Sequence, residues 1–512
     1  MKLLMHNPLT RTLLQSGSKP GNRLQYLCRC RFPLGRLRWL LHLTAGCVAL
    51  CFPITAVDPA HAEGPRLPNV LFVMADQWRQ ESFGFAGNTD VRTPAFDAFA
   101  RESIRFTNAV STIPVCSPTR AALLTGRRGL SNGVLMNDVP IDPKALMISN
   151  VLAAAGYDTG YIGKWHVDGR DRFAYIPPER RHGFQYWRAM QCTHDYNRSS
   201  YYADDEKLLR WNGYDAEAQT RDAEKYIRDK VEKGDKPFFL MLSWGPPHEP
   251  YDTAPPQYRQ MYVKDRLTLR PNVPADKAER AREDLSGYYA HCSALDDCMR
   301  SLMNTLKDLR IDQNTIVVFT SDHGDMLGSQ GFQKKQMPWD ESCRVPMLFR
   351  YPARFGEIGK PVPATIATED VMPTVVGLCG LKRVPGVQGL DFSRYMDGGK
   401  DPSDGAAIVM CPAPFGPWSR GAGGREYRAI RTQQYTYARD LSGPWIMYDN
   451  KTDPYQMKNL VDKPEFAAIK AQLDRWLDRK LKRNKDGFEP ARYYIDKWHY
   501  TIDSTGTVPY EH

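Results

Sequence analysis

From Pro68 to about residue 380, short uninterrupted apolar runs alternate with stretches of helical periodicity. The runs cover residues 70–74, 159–162, 238–243, 316–320 and 345–349, and the helical patterns cover 94–102, 120–124, 216–232 and 283–309. Apolar runs of this length predict strands buried on both faces of a mostly parallel sheet. Their alternation with helices predicts a doubly wound α/β fold. The pattern changes after Gly380. Residues 398–424 are rich in Gly and Pro and read as connecting loops; 427–432, 435–439 and 445–448 read as short strands, and 463–481 as a helix. That is the pattern of a smaller antiparallel sheet with one helix.

Composition and charge narrow the class. Of 512 residues, 42% are hydrophobic and 25% charged, as in soluble globular proteins, and the length allows more than one domain. The formal charge of +10 would suit an anionic partner, but its larger part lies in residues 1–62, where eight Lys and Arg face only Asp58. No broad nucleic-acid surface is indicated. The same leader carries a cationic stretch (29–38), an apolar stretch without formal charge (39–57) and a small-x-small site, Ala60-His61-Ala62. It reads as an export signal, giving a periplasmic or extracellular protein. The apolar stretch is short for a span and broken by Pro53, so no stable membrane span is expected. Seven cysteines lie beyond the leader: Cys116, Cys192, Cys292, Cys298, Cys343, Cys379 and Cys411. In an oxidising compartment, pairing is expected among some of the six other than Cys116, with connectivity unreadable from sequence.

In open α/β sheets, ligands bind beyond the carboxyl ends of the strands. Asp76 and Gln77 follow the first run, Lys164 and His166 the second, His248 the third and Asp322 and His323 the fourth. A single histidine after a strand is ordinarily a loop residue. Four strand ends carrying acids, histidines and a lysine together mark a site. A further segment, Val-Cys-Ser-Pro-Thr-Arg-Ala-Ala-Leu-Leu-Thr-Gly (115–126), places Cys116 near Pro118 and Arg120. Pro118 suits the first helical position, which would set residue 116 just ahead of a helix N-terminus, where free N–H groups favour an anion.

Cys116, Pro118 and Arg120 followed by Leu124-Thr125-Gly126 resemble the signature of the type I, formylglycine-dependent sulfatases of the alkaline phosphatase superfamily. The resemblance runs from Asn69-Val70-Leu71 to Asn459-Leu460, with its motifs in family order. It implies that a maturation enzyme oxidises Cys116 to formylglycine. It implies that Asp76, Gln77, Asp322 and His323, with residue 116, hold one divalent metal ion. Gln77 departs from the family's usual Asp and removes a charge; His323 stands where many relatives carry Asn. Dominant oxygen donors favour Ca²⁺, while His323 leaves Mn²⁺ open. The resemblance assigns Lys164 and Lys335 (rather than Lys334) to the sulfate oxygens, His166 to a place beside the formylglycine, and His248 to the leaving alcohol. Asp453-Pro454-Tyr455, with Gln456 for the usual Glu, matches a structural element. The implied chemistry is attack on sulfur by a hydrated formylglycine whose oxyanion the metal and Arg120 favour and whose proton Asp322 accepts. His248 protonates the alcohol, and His166 then deprotonates the second hydroxyl so that sulfate is expelled.

The substrate is less defined. Residues 184–214 are rich in aromatic and polar groups, among them Tyr186, Trp187, His194, Tyr196, Tyr201 and Trp211. They fit either a sugar pocket or a packed aromatic loop, with His194 the candidate contact. Together with export they favour a sulfated polysaccharide or oligosaccharide. The domain plan is a leader (1–62), a catalytic domain (63–396) and a C-terminal subdomain (397–512). Two other readings stand beside this one. Phosphonate monoester or phosphodiester hydrolases share the signature and the Asp-Gln, Asp-His set; a non-catalytic glycan-binding protein would need Cys116 unmodified.

Overall fold

The computed structural model describes residues 67–510. The leader, and with it the export signal, lies outside the described residues. The main sheet has eight strands: β1 (Asn69–Asp76), β2 (Ile104–Val110), β3 (Asp158–Lys164), β4 (Tyr186–Met190), β7 (Phe238–Pro247), β8 (Thr315–Ser321), β9 (Met347–Arg350) and β10 (Lys360–Ala367). Between β4 and β7, β5 (Ser200–Tyr201) and β6 (Leu209–Arg210) form a separate two-residue ladder. The main order is β10-β2-β9-β8-β1-β7-β3-β4. All neighbours are parallel except β9, which runs antiparallel to both β2 and β8. The doubly wound, mostly parallel sheet is therefore present.

Side-chain alternation along β1 explains the two layers. Val70, Phe72 and Met74 join one apolar cluster with Leu123, Leu124 and Val375, whereas Leu71, Val73 and Ala75 join another with Phe96, Ala223, Leu285 and Leu295. The second cluster is roofed by helices Pro94–Arg101, Asp215–Lys233 and Ala278–Asp308. A strand covered on both sides must be apolar throughout, which is why its run is continuous.

Three strands of the main sheet escape the apolar-run criterion. β2 carries polar residues at alternate positions, β4 begins with an aromatic pair, and β10 contains Pro361 and Pro363. β10 is the sheet edge, where proline's missing N–H costs least. The second sheet corrects another expectation. It has four antiparallel strands, β11 (Ala406–Cys411), β12 (Tyr427–Thr432), β13 (Tyr435–Asp440) and β14 (Gly443–Asp449), so the stretch read as loops from 398 to 424 contains a strand. Ile408, Ile430, Tyr437 and Met447 from this sheet, and Leu473, Leu477 and Leu481 from helix Ala467–Arg483, share one apolar cluster with Val70 and Phe72 of β1.

The expected disulfides are not formed: all seven described cysteines are buried free thiols. Cys292 and Cys298 lie in one cluster, Cys379 in another, and Cys343 and Cys411 in a third, where they pack as small apolar side chains. No described helix is long and apolar enough to cross a membrane.

Candidate active site

The carboxyl ends of β1, β3, β7 and β8 converge on the first turn of helix Cys116–Thr125. The helix begins two residues earlier than the proline suggests. Val115 is the N-cap, Cys116 is itself in the first turn, and Pro118 is the third helical residue, where its lack of an N–H is still harmless. β3 and β7 can approach closely before Lys164 because position 163 is glycine. Gly163 has φ +106°, and a Cβ there would lie 2.0 Å from the Ser243 carbonyl oxygen.

Arg120 ties the strand ends together. Its guanidinium donates to Asp76 Oδ2 (3.0 Å), Asp322 Oδ2 (3.1 Å), the Lys164 carbonyl (2.7 Å) and Ser243 Oγ (2.8 Å). The fork fixes the two carboxylates and spans four strands at a fully buried position. Lys164 Nζ reaches Asp76 Oδ2 at 2.7 Å and Cys116 Sγ at 3.8 Å. His323 Nε2 lies 3.3 Å from Cys116 Sγ, while its Nδ1 donates to the Gly324 carbonyl (2.9 Å). That bond leaves the Nε2 lone pair facing the site.

Asp76, Cys116, Asp322 and His323 each present one donor atom, all within 4.8 Å of one another and all buried. This donor set fits a divalent cation. Burial and the neighbouring Asp76 charge raise the Asp322 carboxyl, against His323 and Arg120, a repulsion that a cation would relieve. Asp76 differs. Burial and Cys116 would raise it, but Lys164, His248 and Arg120 outweigh them and hold it far below the usual carboxylate range. At Cys116, burial opposes ionisation, yet Lys164, Lys335 and His323 keep the thiol well below its ordinary value.

Gln77 adopts a left-handed conformation (φ +70°), and its backbone N–H donates to Asp322 Oδ1 (3.0 Å). Its side-chain nitrogen donates to Asp325 Oδ2 (2.7 Å) and Glu249 Oε2 (2.8 Å), and its side-chain oxygen accepts from Lys335 Nζ (2.5 Å). Lys335 Nζ also donates to His248 Nε2 at 2.7 Å. Lys334, one residue away, points outward to Glu249 Oε1 (2.5 Å). His166 has φ +57°; its Nε2 donates to Asp138 Oδ1 (3.0 Å), its Nδ1 is buried without a hydrogen-bond partner, and its ring interacts with the Cys116 side chain. Burial would lower its pKa, but Cys192 and Asp138 overcome burial and lift it to about 9.

The 184–214 insert divides. Trp187 and Tyr196 are buried, and Tyr201 stacks on Trp211 at 4.0 Å, so most of its aromatic groups are packing. Two of its residues reach the site: the Tyr196 hydroxyl donates to the Glu249 carbonyl (3.2 Å), and the His194 ring stacks on His248, centroids 4.6 Å apart and planes 8° apart. Gln456, in the C-terminal motif, accepts from the Asp340 backbone N–H (3.0 Å), bracing the turn that follows Lys335.

The sequence reading missed Asp138, Arg172, Ser243, Cys192, Glu249 and Asp325. Glu249 follows His248, and Asp325 completes Asp-His-Gly-Asp, so adjacency was a usable signal for both. Asp138, Arg172 and Cys192 lie in no motif and reach the site only through the fold.

A family profile described as Sulfatase matches residues 68–381, and one described as N-sulphoglucosamine sulphohydrolase, C-terminal, matches residues 328–483. The chain is 42% identical to an ulvan-active sulfatase of Formosa agariphila, over 87% of each protein. It is 31% identical to an endo-4-O-sulfatase of Bacteroides thetaiotaomicron, over 86% of this chain and 96% of that one. A crystal structure of a Bacteroides fragilis protein assigned as a yidJ sulfatase superposes with a TM-score of 0.75 at 31% identity, covering 84% of this chain and 98% of that one.

Proposed function

The chain belongs to the sulfatase family and is a sulfuric ester hydrolase, and from that premise we propose that it desulfates an exported-side polysaccharide or oligosaccharide through a formylglycine at position 116. The observation that carries this reading is the convergence of Lys164, Lys335, His166 and His248 on the buried first turn that presents Cys116. Lys164 and Lys335 are placed to hold sulfuryl oxygens and offset the charge that builds on them. His248 accepts a hydrogen bond from Lys335 and donates through Nδ1 to the Glu249 carbonyl (2.9 Å). With substrate bound, Nε2 first takes up a proton from Lys335 or solvent, and the imidazolium then delivers it to the departing alcohol. His166, with Nε2–H fixed on Asp138, becomes the base toward residue 116 once Nδ1 has given up the proton that its raised pKa favours. Arg120 keeps the two carboxylates apart and oriented.

Asp76, Asp322, His323 and residue 116 would hold the divalent ion, proposed as Ca²⁺, which as a Lewis acid draws charge from sulfuryl and hydroxyl oxygens. Gln77 joins the lysine side of the site through Lys335. The carbohydrate reading is supported by the names of the two relatives and by a cavity of about 690 Å³ that opens beside Glu249, Tyr251 and Lys334 and extends to Arg259, Arg280 and Asp284. Its walls mix acids, bases and a tyrosine, a lining that suits sugar hydroxyls. Export follows from the leader sequence.

Peptide mass analysis of the segment around residue 116, from a host with the maturation enzyme, should show the thiol replaced by an aldehyde. An unmodified thiol in a fully active preparation would overturn the mechanism. A desulfation screen across defined sulfated glycans identifies the sugar, and parallel phosphate and phosphonate esters should turn over more slowly.

A further inference from the structure

The His166 base is the inner end of a chain of contacts that leaves the site and finishes at the C-terminal segment. Asp138 Oδ1 accepts from His166 Nε2 (3.0 Å) and from Arg172 Nε (3.0 Å), and Asp138 Oδ2 accepts from Arg172 Nη2 (2.8 Å). Asp138 is thus held by a two-pronged guanidinium bond of fixed geometry. The outer face of Arg172 is covered by Tyr510, whose ring centroid lies 3.4 Å from the guanidinium carbon. Cation and ring are in the arrangement that orients a guanidinium plane.

The loop carrying Asp138 is held from the same side. Asp138 adopts φ +62°, in the left-handed region that aspartate enters more readily than most residues. The Tyr500 hydroxyl accepts from the Leu135 N–H (3.2 Å) and donates to the Gly133 carbonyl. The Trp498 ring packs against Gly133 so closely that a Cβ there would approach it to 2.7 Å. Residues 498–510 therefore fasten both partners of the chain: the loop through Tyr500 and Trp498, the guanidinium through Tyr510.

We propose that Tyr510 is a positioning residue for the sulfate-release step, acting through Arg172 and Asp138 to keep His166 Nδ1 aimed at residue 116. The inference rests on the formylglycine reading above. In that step His166 Nδ1 takes the proton of the remaining hydroxyl, the carbonyl re-forms, and the bond from carbon to the sulfate oxygen breaks with its electron pair leaving on sulfate. A base that swings off its line would slow this half-reaction and leave attack and alcohol release untouched. Merely burying the Arg172 stem would not be step-specific.

The test uses the matured full-length enzyme and four variants: His166→Ala, Tyr510→Ala, Tyr510→Leu and Tyr510→Phe. Two quantities are read: turnover, and the fraction of the residue-116 peptide that retains sulfate when quenched during turnover. Tyr510→Ala and Tyr510→Leu should lower turnover on the order of tenfold and retain sulfate, since Leu fills the space without a π face, while Tyr510→Phe should restore both readings. Undiminished turnover in Tyr510→Leu, or reduced turnover without retained sulfate, overturns the proposal. His166→Ala separates the two layers of argument: if it retains no sulfate, the formylglycine reading fails, whatever Tyr510 does.

Discussion

At the scale of single residues, two substitutions separate chemistry from recognition. Cys116→Ala removes the only position that can carry the nucleophile in the proposed mechanism. It should lower turnover on the order of 10⁶-fold while leaving the thermal unfolding of the metal-free protein nearly unchanged, because Cys116 packs few groups that an alanine would not. Steady-state assay beside a melting curve checks both parts, and substantial residual turnover would point to another nucleophile. His194 makes a different prediction. Its ring lies flat on His248, so it is in direct contact with the proton donor. His194→Ala should lower kcat/KM for a glycan ester roughly tenfold, about 1.4 kcal/mol, and for a small aryl ester by less. Equal losses on both substrates would mean that it only props His248.

At the scale of elements, the helix Asp215–Lys233 opens on an unusual group. Asp215 is buried, and burial pushes its carboxyl up to about 8 from 3.8. Its Oδ1 has no hydrogen-bond partner, as expected for a carboxyl that stays protonated. The native state then binds a proton that the unfolded chain has lost. Stability falls as pH rises from about 4 through about 8. Asp215→Asn keeps the shape and removes the titration. The variant should gain on the order of 4 kcal/mol on the parent at pH 9 relative to pH 5, read as a difference in melting temperature at the two values. An identical gap at both pH values would show that Asp215 is ionised throughout.

The same scale shows why some elements were legible in the sequence and others were not. β1, β3, β7 and β8 are covered on both faces, so their apolar runs announce them, and the residues just past their ends announce the site. β9 was also visible as a run, but its direction was not, because a strand reads the same either way. β10 was hidden by two prolines that only an edge tolerates, and β11 by the Gly and Pro on either side of it. Asp138 and Arg172 were invisible for a related reason. Their importance comes from contacts made across 28 and 34 residues of sequence, and nothing in their local pattern marks them.

At the scale of the whole molecule, the small sheet and the main sheet share one apolar cluster. Met447, Ile430 and Leu473 pack in the same core as Val70 and Phe72. A fragment ending at residue 396 would expose that surface and should fail to give a soluble, cooperatively melting protein, a result that expression and calorimetry would show. A second whole-molecule prediction concerns the ion. If a divalent ion binds the folded state alone, chelation should lower the melting temperature, and its return at a hundredfold excess over Kd should restore about 2.7 kcal/mol. Ca²⁺ should restore it at lower concentration than Mn²⁺. A melting temperature indifferent to chelation would place little binding energy at the four buried donors.

The stack of His194 on His248 has an evolutionary consequence. The sheet supplies the machinery that any ester of this class needs, while the 184–214 insert lies over the group that serves the departing alcohol. Exchanging the insert would retune proton delivery and substrate choice in a single event. Descendants of this fold that shift to a new glycan should therefore show paired changes, one in the insert and one around His248, with the strand ends beneath left as they are.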